Sequence, residues 1–172
     1  MLESFFPKPK QFFFSAVAWS LFGVFSWYFG GKELGLFFGF DFPAKDAPPV
    51  IGLGHFTTQD FLWFYIYYVL FTLLFYSFWA SYSPHKWQMW SILGSALILF
   101  FTYYQVQVAV AVNNWYRPFY DAIQNALSGS STTTAADLYG YIFSFLILAM
   151  TYVLISIVTS FFVSHYVFRW RT

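Results

Sequence analysis

The few charged residues of this chain are spaced in a way that decides what it can fold into. Only 9% of its 172 residues are Asp, Glu, Lys or Arg, where a soluble domain carries roughly a quarter. They leave long uncharged runs: 21 residues between Lys10 and Lys32, 24 between Asp60 and His85, 30 between Lys86 and Arg117, and 27 between Asp137 and His165. Each run can cross a hydrocarbon core of about 30 Å at about 1.5 Å per residue. Backbone groups in lipid must be satisfied within their own segment, so the crossing segments are helices. The expectation is an all-α integral membrane protein with four transmembrane helices, at 12–30, 61–82, 88–112 and 138–164.

What joins these spans follows by subtraction. Residues 1–11 lead in; 31–60 form the longest connection, with Pro43, Pro48 and Pro49; 83–87 make a tight turn; 113–137 carry a polar stretch; and 165–172 continue the last helix. Within the long connection, "LGLFFGF" (34–40) is too short to cross a bilayer, and Gly35 and Gly39 have helix-contact spacing; an interfacial patch is expected there. The first run resembles a secretory signal, with Lys8 and Lys10 ahead of Ala16-Val17-Ala18. Cleavage there would leave too short an apolar region, and the run continues to Phe29, so it reads as an uncleaved anchor. Lysine and arginine placement sets the orientation. Lys8, Lys10, Lys86, Arg169 and Arg171 fall on one side, whereas Lys32, Lys45 and Arg117 are spread over much longer loops. Both termini are therefore expected in the cytoplasm, with 31–60 and 113–137 on the outer side. Trp27, Tyr28, Trp87, Trp90, Trp115, Tyr116 and Trp170 lie near span ends, as interface anchors do.

Composition excludes several kinds of chemistry. A net charge of +1 gives no electrostatic basis for nucleic acid binding. The absence of cysteine removes disulfides, thiolate catalysis and cysteine-based zinc sites. The three histidines are far apart and none lies mid-span, so no metal or haem site is expected. The one glycine–lysine pair, Gly31-Lys32, has Ser26 where a phosphate-binding loop needs glycine and Glu33 where it needs a hydroxyl. No serine elbow or H-E-x-x-H pattern occurs, and no cofactor and no enzymatic activity are expected.

Three stretches carry the remaining information. "YSPHKWQMW" (82–90) is a proline-marked hairpin in which Ser83 can cap, with His85 and Lys86 at the expected cytoplasmic interface. It serves either as a headgroup anchor or as a fixed contact for a moving element. "VAVNNWYRPFYDAIQNAL" (110–127) passes from apolar residues to Asn113, Asn114, Arg117, Asp121 and Gln124. Pro118 is expected to interrupt the helix, with a bend and a short amphipathic helix after it. Arg117 and Asp121 are spaced to pair if helix persists. These residues are candidates for a gate or vestibule, the alternative being an interfacial helix that ends a span. "SGSSTTTAAD" reads as a loop with possible helix caps at 132–134 and Asp137. Gln105 and Gln107 are the intramembrane polar candidates, for helix–helix hydrogen bonding or for substrate contact. No span carries a mid-membrane Asp, Glu, Lys or Arg, the groups on which ion coupling depends.

Four blocks in order, "SFFPKP" (4–9), "YSPHKWQMWSILGSALILF" (82–100), "VAVNNWYRPFYDAIQNAL" (110–127) and "FFVSHYVFRWRT" (161–172), resemble the SbmA/BacA family of bacterial inner-membrane peptide transporters. The resemblance implies the first half of a helical fold like the membrane part of ATP-binding-cassette exporters, without the nucleotide-binding domain. It implies a homodimer in the bilayer that imports peptides, such as proline-rich antimicrobial peptides and microcins, driven by the proton gradient. Carboxylates for coupling would lie beyond Thr172, and the uncapped helix carrying His165, Arg169 and Arg171 would continue into the cytoplasm, so the chain reads as a truncated member. Asn114 and Phe119 to Gln124 are also similar to the first core helix of fatty-acyl exporters that carry an ATPase domain. That leaves an exporter membrane domain as a second reading, and a four-span structural protein as a third.

Overall fold

The computed structural model describes residues 5–6, 8–44, 47–129 and 133–171. Ser4, Pro7, Lys45, Ser130, Ser131, Thr132 and Thr172 lie outside the described residues, as do the side chains of Trp170 and Arg171. All regular structure among the described residues is helical: α1 (Pro9–Ser26), α2 (Lys32–Phe37), α3 (Gln59–Tyr82), α4 (Ser95–Leu127) and α5 (Ala135–Arg171), with a short 3₁₀ helix at Gly52–Thr57. Two π-helical turns, Trp27–Gly31 and Met89–Gly94, lead into α2 and α4. Four helical runs are long and apolar enough to cross a membrane: Pro9–Phe37, Gln59–Tyr82, Met89–Leu127 and Ala135–Arg169.

The third run corrects one expectation. Helix α4 passes through Pro118 without ending, and no separate amphipathic helix follows. A proline removes one hydrogen-bond donor and crowds the preceding turn. Here contacts on either side of it hold the helix together: Trp115 is buried and stacks on Phe119 at 4.4 Å, and Ala122 is buried one turn beyond the proline. The 39-residue run Met89–Leu127 measures about 58 Å at 1.5 Å per residue, nearly twice a hydrocarbon core. The surplus length lets its polar end stand clear of lipid.

The stretch at 34–40, where an interfacial patch is expected, contains the end of a short helix, with Leu34, Leu36, Phe37 and Phe38 exposed. The backbone leaves helical geometry at Gly30, and the helix resumes over Lys32–Phe37. It closes with a glycine cap. Gly39, at φ 85°, donates to the Leu36 carbonyl and Phe40 donates to that of Gly35. A side chain at Gly35 would run into Phe42 at 2.5 Å and Trp63 at 2.9 Å, so this glycine admits aromatic rings rather than a second glycine-lined helix.

The chain divides into two compact units, Met1–Pro43 with Gln59–Phe100 and Phe161–Thr172, and Ala44–Thr58 with Phe101–Ser160. In the first, α1 and α3 are laced by polar tips on aromatic side chains. Trp19 Nε1–H donates to the Phe71 carbonyl (3.1 Å), Trp63 Nε1–H to Gly31 (2.8 Å), and Tyr67 hydroxyl to Gly23 (2.8 Å). Each bond takes up a group that lipid could not. The core of this unit is Phe5, Phe6, Phe12, Trp79 and Ile92. In the second unit Val108, Ala111, Trp115 and Leu148 are buried, and Phe56 stacks on Tyr104 at 4.4 Å.

Candidate functional site

The second unit holds a cleft of about 680 Å³ built from two helix faces. Helix α4 supplies Pro118, Asp121, Ala122 and Asn125. Helix α5 supplies Asp137, Gly140, Tyr141 and Ser144, and Ile51 closes one side. Both sets repeat at three and four residues, the spacing of one helix face. The faces are held together where Trp115 Nε1–H donates to the Tyr141 carbonyl (2.7 Å) and the indole packs on Phe145 at 4.9 Å.

The start of α5 is fixed by a reciprocal cap. The Asp137 N–H donates to Thr134 Oγ1 (3.3 Å), while the Thr134 N–H and hydroxyl both donate to Asp137 Oδ2 (2.8 and 2.7 Å). Of the expected caps it is therefore Thr134, with Asp137, that serves. The two Thr134 bonds favour the carboxylate and hold Asp137 below its usual range. Asp137 stands in the first helical turn, ahead of the apolar run 138–164. Asp121 is approached by Arg117 Nε at 3.9 Å, but both side chains are well exposed. Water screens such a pair, which is worth about 0–1 kcal/mol. The cleft thus presents two carboxylates and the side-chain amide of Asn125. It suits a ligand with positive charge and N–H donors.

Of the gate candidates, Asp121 alone lines the cleft. Asn113, Arg117 and Gln124 are exposed and run along the flank of α4 next to Asp121, which is four residues from Arg117 and three from Gln124, but they do not line the cleft, while Asn114 is half-buried. Asn125, Tyr141 and Ser144 were not singled out from the sequence, although the 118/121/122/125 and 137/140/141/144 spacings mark both faces. Gln105 and Gln107 are half-buried, and among the described residues neither side chain makes a hydrogen bond. Two positions apart on a helix, they point to nearly opposite sides and cannot serve one contact.

The first unit gathers a different constellation from three of the sequence blocks. Phe5 stacks on Trp87 (6.4 Å) and meets Tyr166 edge-on (5.4 Å). Trp90 stacks on Phe162 and lies 6.1 Å from His165. The Ser95 and Tyr166 hydroxyls share a 2.7 Å bond, and a side chain at Gly94 would meet Tyr166 at 3.0 Å. The turn is closed by His85 rather than Ser83. The His85 N–H donates to Gln88 Oε1 (3.3 Å), Trp87 N–H to His85 Nδ1 (3.2 Å), and the buried Gln88 amide to the Tyr76 carbonyl (3.1 Å). Lys86 lies over Trp87, and Arg169 over Trp87 and Trp90. No trio of His, Cys, Asp or Glu side chains among the described residues is grouped to hold a metal.

Four helical runs long and apolar enough to cross a membrane define a polytopic α-helical membrane protein. The model of the SbmA/BacA-like family matches residues 84–172, more than half of the chain, and the chain belongs to that family. The family is one of membrane peptide transporters, which makes this an inner-membrane transport protein. The match starts at the proline of the hairpin and takes in the α4 and α5 faces of the cleft.

Proposed function

We propose that the protein acts as a homodimeric, proton-driven importer of peptides, among them proline-rich antimicrobial peptides and microcins. In this reading both termini are cytoplasmic, and the cleft between α4 and α5 lies toward the periplasmic mouth. Asn113, Asn114, Arg117 and Gln124 form the polar surround of the vestibule, and Asp121 and Asp137 attract the cationic substrate. The supporting observation is the family match over the segment that also builds both carboxylate-bearing faces. A peptide rich in arginine and proline has positive charge for the carboxylates and few backbone donors to satisfy, which suits a cleft of this makeup.

Expression of the gene in a resistant cell is expected to confer sensitivity to proline-rich peptides. Replacing both cleft carboxylates, as Asp121→Asn with Asp137→Asn, is expected to lower uptake of a fluorescent cationic peptide roughly tenfold at low substrate concentration, equivalent to about 1.4 kcal/mol. A folded, membrane-inserted protein that confers no sensitivity would remove the importer reading. Undiminished uptake in the double variant would remove the cleft from it.

A further inference from the structure

We propose that the hairpin end of the first unit is a seat for the headgroup of an anionic phospholipid. Three cations there are placed on aromatic faces. Lys8 Nζ is 4.4 Å from the centre of the Tyr82 ring, Lys86 Nζ is 5.5 Å from Trp87, and the Arg169 guanidinium is 5.6 Å from Trp90 and 5.9 Å from Trp87. The rings are themselves held: Tyr82 stacks on Phe78, Trp87 on Phe5 and Trp90 on Phe162. A flexible ammonium or guanidinium group set against a fixed ring loses less freedom on meeting a phosphate.

The backbone adds to this placement. Lys8 has φ 44°, a left-handed conformation uncommon for a residue with a side chain. It is held there between the buried Phe6 and the start of α1, where Phe12 N–H donates to the Lys8 carbonyl at 3.0 Å. Strain of this kind persists only where surroundings impose it.

The exposed lysines of this end point to an anionic ligand. The acidic residues described in this unit are Glu33, Asp41 and Asp60. Asp60 lies in the first turn of α3 and Tyr82 closes it, so they stand about 33 Å apart at 1.5 Å per residue. Lys8 and Lys86 are exposed, and Lys10 is exposed beside them in sequence. Location points to a lipid. Two crossing runs begin here, at Pro9 and Met89, and two end here, at Tyr82 and Arg169. This is the level at which headgroup phosphates lie and at which indoles settle.

The full chain, extracted from bilayers holding equal phosphatidylglycerol and phosphatidylethanolamine, is examined by native mass spectrometry for retained lipid. Retained phosphatidylglycerol is expected to exceed phosphatidylethanolamine. Each surface cation contributes on the order of a fivefold preference, so Lys8→Gln with Lys86→Gln is expected to cut retention about twenty-fivefold. Trp87→Leu is expected to weaken it with every cation still present, whereas Arg117→Gln, in the second unit, is expected to leave it unchanged. Equal retention of the two lipids overturns the proposal, as does an unaffected Lys8/Lys86 double variant. An equal loss in Arg117→Gln also overturns it, since binding would then follow total charge. Because the readout is bound lipid, the result stands apart from the peptide-uptake reading.

Discussion

The two units of this molecule use the same aromatic-rich sequence in opposite ways. In the first, rings close on rings, and indole and phenol tips occupy backbone carbonyls, leaving a core of Phe5, Phe6, Phe12, Trp79 and Ile92. In the second, Trp115 and Phe119 tie α4 to α5, and beside them the facing helix surfaces line a cleft with two carboxylates. The difference teaches that aromatic content by itself specifies neither rigidity nor a site. What matters is whether small and polar residues interrupt the rings on a facing surface, as Ala122, Asn125, Gly140 and Ser144 do in the cleft.

The contrast can be broken by substitution. Trp79 is 1% exposed and inside the first core, so Trp79→Ala is expected to cost the most, about 3–5 kcal/mol, seen as a lower unfolding midpoint in detergent. Trp115→Phe keeps the ring stack on Phe119 but leaves the Tyr141 carbonyl without the indole donor, for a loss of about 1 kcal/mol. If the Trp115→Phe loss equalled that of Trp79→Ala, the second unit would be held as firmly as the first and the contrast would fall.

Next in size is the cap of α5. Thr134→Ala removes the side-chain partner of Asp137 and is expected to speed amide exchange in the first turn of α5 alone. The same turn should respond to acid with a defined sign. Asp137 is held below its usual range by Thr134, so its contribution is present above the unfolded carboxylate value of about 3.9 and fades as pH falls through the lower folded value. Exchange at residues 135–138 is expected to accelerate only below about pH 4, and to lose that acid response in Asp137→Asn. Acceleration beginning near neutrality would assign the effect to another group. Smallest of all, Arg117→Gln removes an exposed pair at 3.9 Å and is expected to change stability by under about 1 kcal/mol. A larger loss would show that the outer face of α4 is packed.

Much of the fold is legible in the sequence. The four crossing helices followed from charge spacing, and the reciprocal cap lay within the threonine-rich stretch that ends at Asp137. The site was legible only in part. Of the gate candidates Asp121 lines the cleft, whereas Asn113, Arg117 and Gln124 lie on the exposed flank of α4 beside it. Asn125, Tyr141 and Ser144 escaped because neither helix face reads as a site until its partner is known. For Pro118 the sequence shows only the local penalty of a proline in a helix. That penalty, a few kcal/mol, is met by Trp115, Phe119 and Ala122 packing on either side.

The chain's own charges decide that it crosses a membrane and roughly where, because each charge in lipid costs enough to be read one residue at a time. They do not decide which segments meet. Phe5, Trp87 and Tyr166 are far apart in sequence, yet one edge-on contact and one stack bring them together. Asp121 and Asp137 share a cleft where Trp115 and Phe119 on one helix meet Tyr141 and Phe145 on the other. Contacts of that kind depend on the shape of both partners, and no local pattern encodes the partner's shape.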